Sequence, residues 1–236
     1  MLPEPPPGKI VVLSGAGLSA ASGIPTFRDE NGLWAGHDMD EVATPDGWAR
    51  DAARVRRFYD ERRRAAAVAQ PNPGHRALAR LQETWGPGRV VLVTQNIDGL
   101  LQQAGAHEVI EMHGSLWRLQ CESDPRHPRH PVHGAQDPSV HCDWCHARLR
   151  PAVVWFGEMP QHMDRIYTEL MGADAFVAVG TSGVVYPAAG FVQIARQAGA
   201  RCIEVNPRPS GGPFDEILAE GSEEALPKLV DAWLAD

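Results

Sequence analysis

Lysine is almost missing from this chain: of 22 basic residues, only Lys9 and Lys228 are lysines. Codon usage in GC-rich DNA accounts for such a bias, and no mechanism is read from it. A surplus of positive charge is missing too. The formal net charge is -8 and the pI about 5.7, which argues against a nucleic-acid binder because a phosphate backbone demands a basic footprint. Only local basic patches stay open. Long apolar runs are also lacking. The opening "MLPEPPPGKIVVL" has no basic leader and no extended apolar core, so it is expected to be neither a signal peptide nor a membrane span, but a short polyproline arm. Cysteine is scarce. The four present, two of them in "CDWC", suit a metal site in a reducing compartment better than a disulfide framework. The expectation is a cytoplasmic monomer without membrane or nucleic-acid partners. No internal repeat is visible.

What is present points to an α/β protein. With 236 residues, 43% of them hydrophobic, the chain can bury one sizeable core and carry a smaller module. Short apolar runs, "KIVVLS", "RVVLVT", "AVVWF", "AFVAVG" and "RCIEVN", read as buried parallel strands. Helical patterns at 97–104 and 187–198 lie among them, the alternation of a doubly wound, mostly parallel sheet. Two stretches interrupt it: 34–78, arginine-rich and helical, and 119–150, rich in His, Pro and Cys. They are expected to form a smaller inserted domain, leaving 1–33, 79–118 and 151–236 for the sheet.

Ligands of open α/β sheets bind beyond the carboxyl ends of the strands. Those ends carry Ser14-Gly15-Ala16-Gly17, Thr94-Gln95-Asn96-Ile97-Asp98, Gly180-Thr181-Ser182 and Asn206. The first, "GAGLSA", is a G-x-G-x-x-A loop ending at Ala20 and suits a pyrophosphate at a helix N-terminus. A dehydrogenase would continue into several helical turns. Here Gly23 and Pro25 follow at once, so the helix must stop and a long loop begin.

These segments, together with "SGIPTFRDENGLW", "HGSLW", "VVWFGE", "GTSGVVYPAAGF" and "EVNP", resemble in order the motifs of the sirtuins, NAD-dependent protein-lysine deacylases. The resemblance spans nearly the whole chain and is greatest to the class III branch, which removes acidic acyl groups. It implies a Rossmann-like domain, a small helical and zinc-ribbon-like domain, and a cleft where acyl-lysine and NAD meet. There the acyl oxygen attacks the nicotinamide ribose, nicotinamide leaves, and a ribose hydroxyl completes the transfer to O-acyl-ADP-ribose.

Carried onto this sequence, the resemblance makes His113 the general base, a role suited to an imidazole that titrates near neutrality. Gln95 and Asn96 would hold the ribose and Asp98 the nicotinamide amide, with Ile97 beside them. Gly15, Ala16, Gly17, Ala20, Gly180, Thr181 and Ser182 would cradle the diphosphate. Thr26, Phe27, Arg28 and Trp34 belong to the loop over the cofactor, where Phe27 shields the reacting carbon and Arg28 adds charge. Asn206 and Ser222 would contact the adenosine. Substrate would lie as an extended strand between Phe156-Gly157-Glu158 and Gly183-Val184-Val185; Val154 is expected in the core.

Cys142 and Cys145 have the spacing of half a structural zinc site. The other half departs from the family pattern: Cys121 is followed by Asp124 where a second thiolate is usual. The fourth donor is left open among Asp124, His127, His130 and His133, and Cys202 is read as a core residue. On "FYDERRR", Tyr59 and Arg62 match the Y-x-x-R pair that reads an acyl carboxylate, with Ala43 leaving room beside them. Arg63 and Arg64 are expected to be solvated. A mono-ADP-ribosyltransferase using the same NAD site, or a non-catalytic NAD sensor, are the competing readings.

Overall fold

The computed structural model describes residues 2–26 and 38–235. Its strands are β1 (Ile10–Ser14), β2 (Val90–Thr94), β3 (Val109–Glu111), β4 (Gly114–Cys121), β5 (His130–Pro131), β6 (Leu149–Val153), β7 (Ala175–Val179), β8 (Arg201–Val205) and β9 (Glu216–Leu218). Its α-helices are α1 (Met39–Val42), α2 (Pro45–Arg50), α3 (Ala52–Val68), α4 (Pro73–Trp85), α5 (Leu100–Gln103), α6 (Met163–Met171), α7 (Phe191–Gln197) and α8 (Ser222–Ala235).

Six strands form one sheet in the order β3-β2-β1-β7-β8-β9, and every pairing is parallel. The runs of Val, Ile and Leu are buried on both faces, as parallel strands under helices must be. Alternation divides them. Ile10, Val12, Leu92 and Val177 share a core with Leu78 and Leu81 of α4 and Leu226 and Leu229 of α8. Val11, Leu13, Val91 and Phe176 meet Ile166 and Leu170 of α6 and Phe191 of α7. The sheet grows one way from β1 to β2 and the other way from β1 to β7, so the carboxyl ends of β1 and β7 open a crevice at a topological switch point.

The second sheet, β5-β4-β6, is antiparallel. Its inner end joins a core with the first three helices through Val42, Trp48, Val55, Phe58, Leu116 and Trp155. Its outer end builds a smaller cluster of Leu119, Cys121, Val132, Cys142 and Leu149. The helix α4 is capped by Asn72 with Pro73 at its first position and packs on the large sheet.

Two expected elements are shorter than the sequence suggests. The "AVVWF" run ceases to pair as a strand at Val153, because Val154 N instead donates to His113 O and Phe156 N to Ala43 O, both at 2.9 Å. The helix expected over 97–104 covers only Leu100–Gln103, since Asp98 Oδ1 takes the Leu100 amide at 2.9 Å and Gly99 turns with φ +81°. The proline-rich arm is pinned by Trp233 Nε1 donating to Pro3 O at 2.9 Å and by Arg89 donating to Pro6 O and Gly8 O. Both lysines are paired, Lys9 with Glu169 at 2.7 Å and Lys228 with Glu220 at 2.6 Å. Among the described residues, no helix is long and apolar enough to cross a membrane.

Candidate active site

At the switch point two glycine turns are pressed together. A methyl group on Gly17 would lie 2.6 Å from Gly180 Cα, a distance no side chain tolerates, and Gly180 itself has φ +58°. Both positions need glycine. Gly15 N donates to Val179 O and Gly17 N to Gly180 O, each at 2.9 Å, so these amides hold the two turns together and leave the Ala16 amide outside that closure. The turn after β1 is a 3-10 helix, Ala16–Ser22, stopped by Gly23 in the left-handed region, the early stop expected from Gly23 and Pro25. Ala20 is exposed on it.

Beside these turns runs a buried polar chain. Asn72 N donates to His75 Nδ1 at 3.2 Å, so His75 carries its proton on Nε2 and donates to Ser19 Oγ at 3.3 Å. Ser19 Oγ donates to Asp98 Oδ2 at 2.7 Å and accepts from Asn96 Nδ2 at 3.1 Å. Asn96 Nδ2 also reaches Gly15 O at 3.0 Å. Burial pushes the Asp98 carboxyl pKa up and the His75 imidazole down to about 4. Ser19, Asn72 and His75 were not singled out from sequence. The signal was there in part: "NPGH" carries a capping asparagine and a proline at the first helical position.

His113 follows β3. Its Nδ1 lies 3.0 Å from Gln95 O; a carbonyl only accepts, so Nδ1 holds the proton and Nε2 keeps its lone pair. Burial lowers the imidazole pKa, which keeps that lone pair available at neutral pH. The Gln95 side chain folds back toward Ser14 O at 3.4 Å. Asn206 Nδ2 donates to Thr181 O at 2.8 Å, and Ser222 Oγ to Gly17 O at 3.4 Å, so Ser222 supports the glycine turn from within.

A cavity of about 390 Å³ joins Ala16, Asn96, Asp98 and His113 to Ala43, Tyr59 and Arg62. The Tyr59 hydroxyl accepts from Trp155 Nε1 at 3.0 Å, which leaves its own proton to donate, and burial raises its pKa so that it stays neutral. Arg62 Nη1 donates to Phe58 O at 2.9 Å, and the guanidinium lies over the Phe58 ring. Burial lowers the Arg62 pKa to about 10, still cationic at neutral pH. Glu158 is tied to Arg150 Nη2 at 2.6 Å and to Trp155 N at 2.8 Å, so it shapes this wall. Phe156, Gly157 and Val185 line the cavity and are exposed; Gly183 and Val184 are exposed but do not line it. Thr26 and Ser182 are partly buried, whereas Phe27, Arg28 and Trp34 lie outside the described residues.

Arg63 overturns an expectation. It is 1% exposed, donating through Nε to Leu116 O at 2.8 Å and through Nη1 to Asp60 Oδ1 at 2.5 Å and Gly134 O at 2.9 Å. Residue i+4 from Tyr59 shares its helix face, and two backbone carbonyls make burial of the charge possible. Arg64, as expected, is exposed.

Cys121, His127, Cys142 and Cys145 place their donor atoms within 4.8 Å of one another. Cys121 Sγ and Cys145 Sγ are 3.5 Å apart, and His127 Nδ1 is 3.4 Å from Cys142 Sγ and 3.5 Å from Cys145 Sγ. Tetrahedral zinc asks for edges of about 3.5–3.8 Å, so three thiolates and one imidazole fit the ion. Among the four open donors, His127 is the one in place. Asp124 is held by Arg126 and stands 3.8 Å from His127 Nε2, the position of a carboxylate that orients a metal-bound imidazole. His130 instead faces Asp143 at 3.7 Å, and Cys202 is a core residue.

The model of the Sir2 family matches residues 15–187. The chain belongs to this family. Among similar proteins, the NAD-dependent protein deacylase SIR2rp3 of Trypanosoma brucei brucei is 44% identical over 97% of this chain and 96% of its own length. The NAD-dependent protein deacylase of Salmonella typhimurium is 46% identical over 96% of this chain and 84% of its own. A solved Sir2 homologue–NAD complex is 39% identical with a TM-score of 0.86, covering 95% of this sirtuin and 89% of that chain. A Sir2 mutant with a deacetylated p53 peptide and 3'-O-acetyl ADP-ribose is 28% identical with a TM-score of 0.81, over 94% and 92% of the two chains.

Proposed function

We propose that this sirtuin is an NAD-dependent deacylase of protein lysines selective for acidic acyl groups, succinyl and malonyl, over acetyl. The deacylase activity follows from membership of the Sir2 family and from relatives named for it. The observation that carries the acyl preference is the placement of Tyr59 and Arg62 in the same cavity as His113. An acyl carboxylate entering there loses water, a loss that charge-assisted hydrogen bonds offset. Arg62 supplies a cation and Tyr59 a hydroxyl already oriented by Trp155. An acetyl group gives them no anion to bind.

Bound NAD supplies the ribose that accepts the acyl group, with release of nicotinamide. His113 takes a proton at Nε2 while Nδ1–H stays on Gln95 O. Asn96 and Asp98 are held by Ser19 and present a fixed polar wall to the nucleoside. Gly15, Ala16, Thr181, Ser182 and Asn206 line the diphosphate and adenosine side. Substrate pairs as an extended strand between 156–158 and 183–185. A mono-ADP-ribosyltransferase has no use for a half-buried cation at the far end of this cavity. The test is mass spectrometry of matched acetyl-, malonyl- and succinyl-lysine peptides with enzyme and NAD. Faster loss of the two acidic groups supports the reading; equal or faster deacetylation sinks it.

A further inference from the structure

Of the three consecutive arginines at 62–64, the middle one is sealed in protein. Arg63 spans three elements: its own helix through Asp60, β4 through Leu116 O, and the loop between His127 and Cys142 through Gly134 O. Asp60 extends the clamp, since its Oδ1 also accepts from Gln136 N at 2.9 Å, and Gln136 Nε2 donates to Leu149 O of β6 at 2.7 Å. Tyr59 and Arg62 flank Arg63 on the helix at spacings of four and one. We propose that Arg63 is a positioning residue for acyl selection: by clamping α3 to β4 and to the metal-binding loop, it fixes where Tyr59 and Arg62 present their donors.

The chemistry of the clamp favours this role over a purely stabilising one. Two of its acceptors are neutral carbonyls, and Arg63 Nη2 is buried with no protein acceptor among the described residues. A buried ion pair returns little net stability compared with apolar groups of the same shape, although removing Arg63 alone leaves Asp60 and two carbonyls short of a donor and does cost stability. Its three directed bonds do specify a rotation and a height for the helix. A shift of about 1 Å in a positioned group can cost as much as 10²-fold in rate. Tyr59 is also held by Trp155, and the Arg62 guanidinium bonds Phe58 O on the same helix, so the setting of α3 bears on both donors.

The inference rests on the acidic-acyl reading, and its test separates the two. Kinetics of Arg63→Met, Arg63→Lys and Arg62→Met are compared with the parent on succinyl- and acetyl-lysine peptides, with NAD varied in parallel. For Arg63→Met, kcat/KM on the succinyl peptide is expected to fall ~10- to 50-fold, mostly through peptide KM. The acetyl peptide loses no more than about 3-fold and the KM for NAD stays within about 2-fold, because the nucleotide wall has bonds of its own that Arg63 does not make: Leu116 N donates to Ile97 O at 2.9 Å, Trp117 Nε1 to Asp98 O at 2.7 Å and Ser19 Oγ to Asp98 Oδ2 at 2.7 Å. Arg63→Lys, able to reach some of the acceptors but not all three, recovers part of the loss; Asp60→Asn serves as a second probe if Arg63→Met fails to fold. A succinyl-to-acetyl ratio unchanged in the Arg63 and Asp60 variants, whether both rates fall or neither does, overturns the inference. If Arg62→Met also leaves the ratio unchanged, it is the acidic-acyl reading that fails.

Discussion

The two ends of the central cavity are built by different means. At the end proposed for the nucleotide, the turns after β1 and β7 close on each other through glycines and backbone bonds, and the side chains behind them form a chain of single hydrogen bonds from Asn72 to Asp98. No cation takes part in that chain. At the end proposed for the acyl group, charged side chains dominate: Arg62 on a helix, Arg150 with Glu158, and Arg63 clamped beneath. A cofactor that never changes suits a rigid wall of backbone and short polar side chains. A choice among acyl groups needs charge, and charge in a dry pocket needs its own scaffold.

The comparison breaks most visibly if the metal is removed. About one zinc per chain is expected by elemental analysis, and Cys142→Ser should lose it and unfold the 119–150 segment locally, since small zinc modules seldom hold without their ion. Protein that retains its hydrogen-exchange protection there without metal would show that the scaffold of the acyl end stands alone. Next in size, His113→Ala is expected to slow deacylation of every acyl peptide by ~10²- to 10⁴-fold, the span for losing a general base. A loss confined to one acyl group would place His113 at the wrong end of the cavity. Arg62→Met should cost ~2–4 kcal/mol of transition-state binding for succinyl-lysine, the range for breaking a bonded charge pair, and clearly less for acetyl-lysine. Parallel losses would make the cation structural.

The nucleotide end has its own signature in pH. The folded pKa of His75 is lowered to about 4, by burial first and by Arg76 second, while an unfolded histidine titrates near 6.5. As pH falls, the unfolded chain takes up the proton first. Stability is therefore full above about pH 6.5 and is lost as the pH drops toward 4, by up to ~3 kcal/mol. Denaturant titrations at pH 8 and pH 5 check this, and Asn in place of His75 should flatten the profile. The smallest effect belongs to Arg64→Ser, within about 0.5 kcal/mol on stability and none on acyl choice; a larger change would erase the distinction drawn between Arg63 and its neighbour.

Much of the frame was legible because its signals are local. Buried parallel strands read as Val and Ile runs, and the early stop after "GAGLSA" followed from Gly23 and Pro25 alone. Long-range partners were not legible. That Arg63 lies on the face of Tyr59 is in the spacing, but the carbonyls that let it be buried come from Leu116 and Gly134, 53 and 71 positions away. Likewise three cysteines announced a metal, yet the preference for His127 over Asp124 depends on Arg126 holding that carboxylate. The strand expected over "AVVWF" ends early for the same reason, its later amides being taken by His113 and Ala43.

The pairing of the two lysines bears on the enzyme's own wear. Reactive acyl donors modify amines only in the unprotonated form, and here Lys9 and Lys228 each hold a carboxylate; the Glu220 hydrogen bond raises the Lys228 pKa. Having only two such side chains, each occupied by a carboxylate, a deacylase working amid acylated proteins presents little of itself to accumulate the same damage.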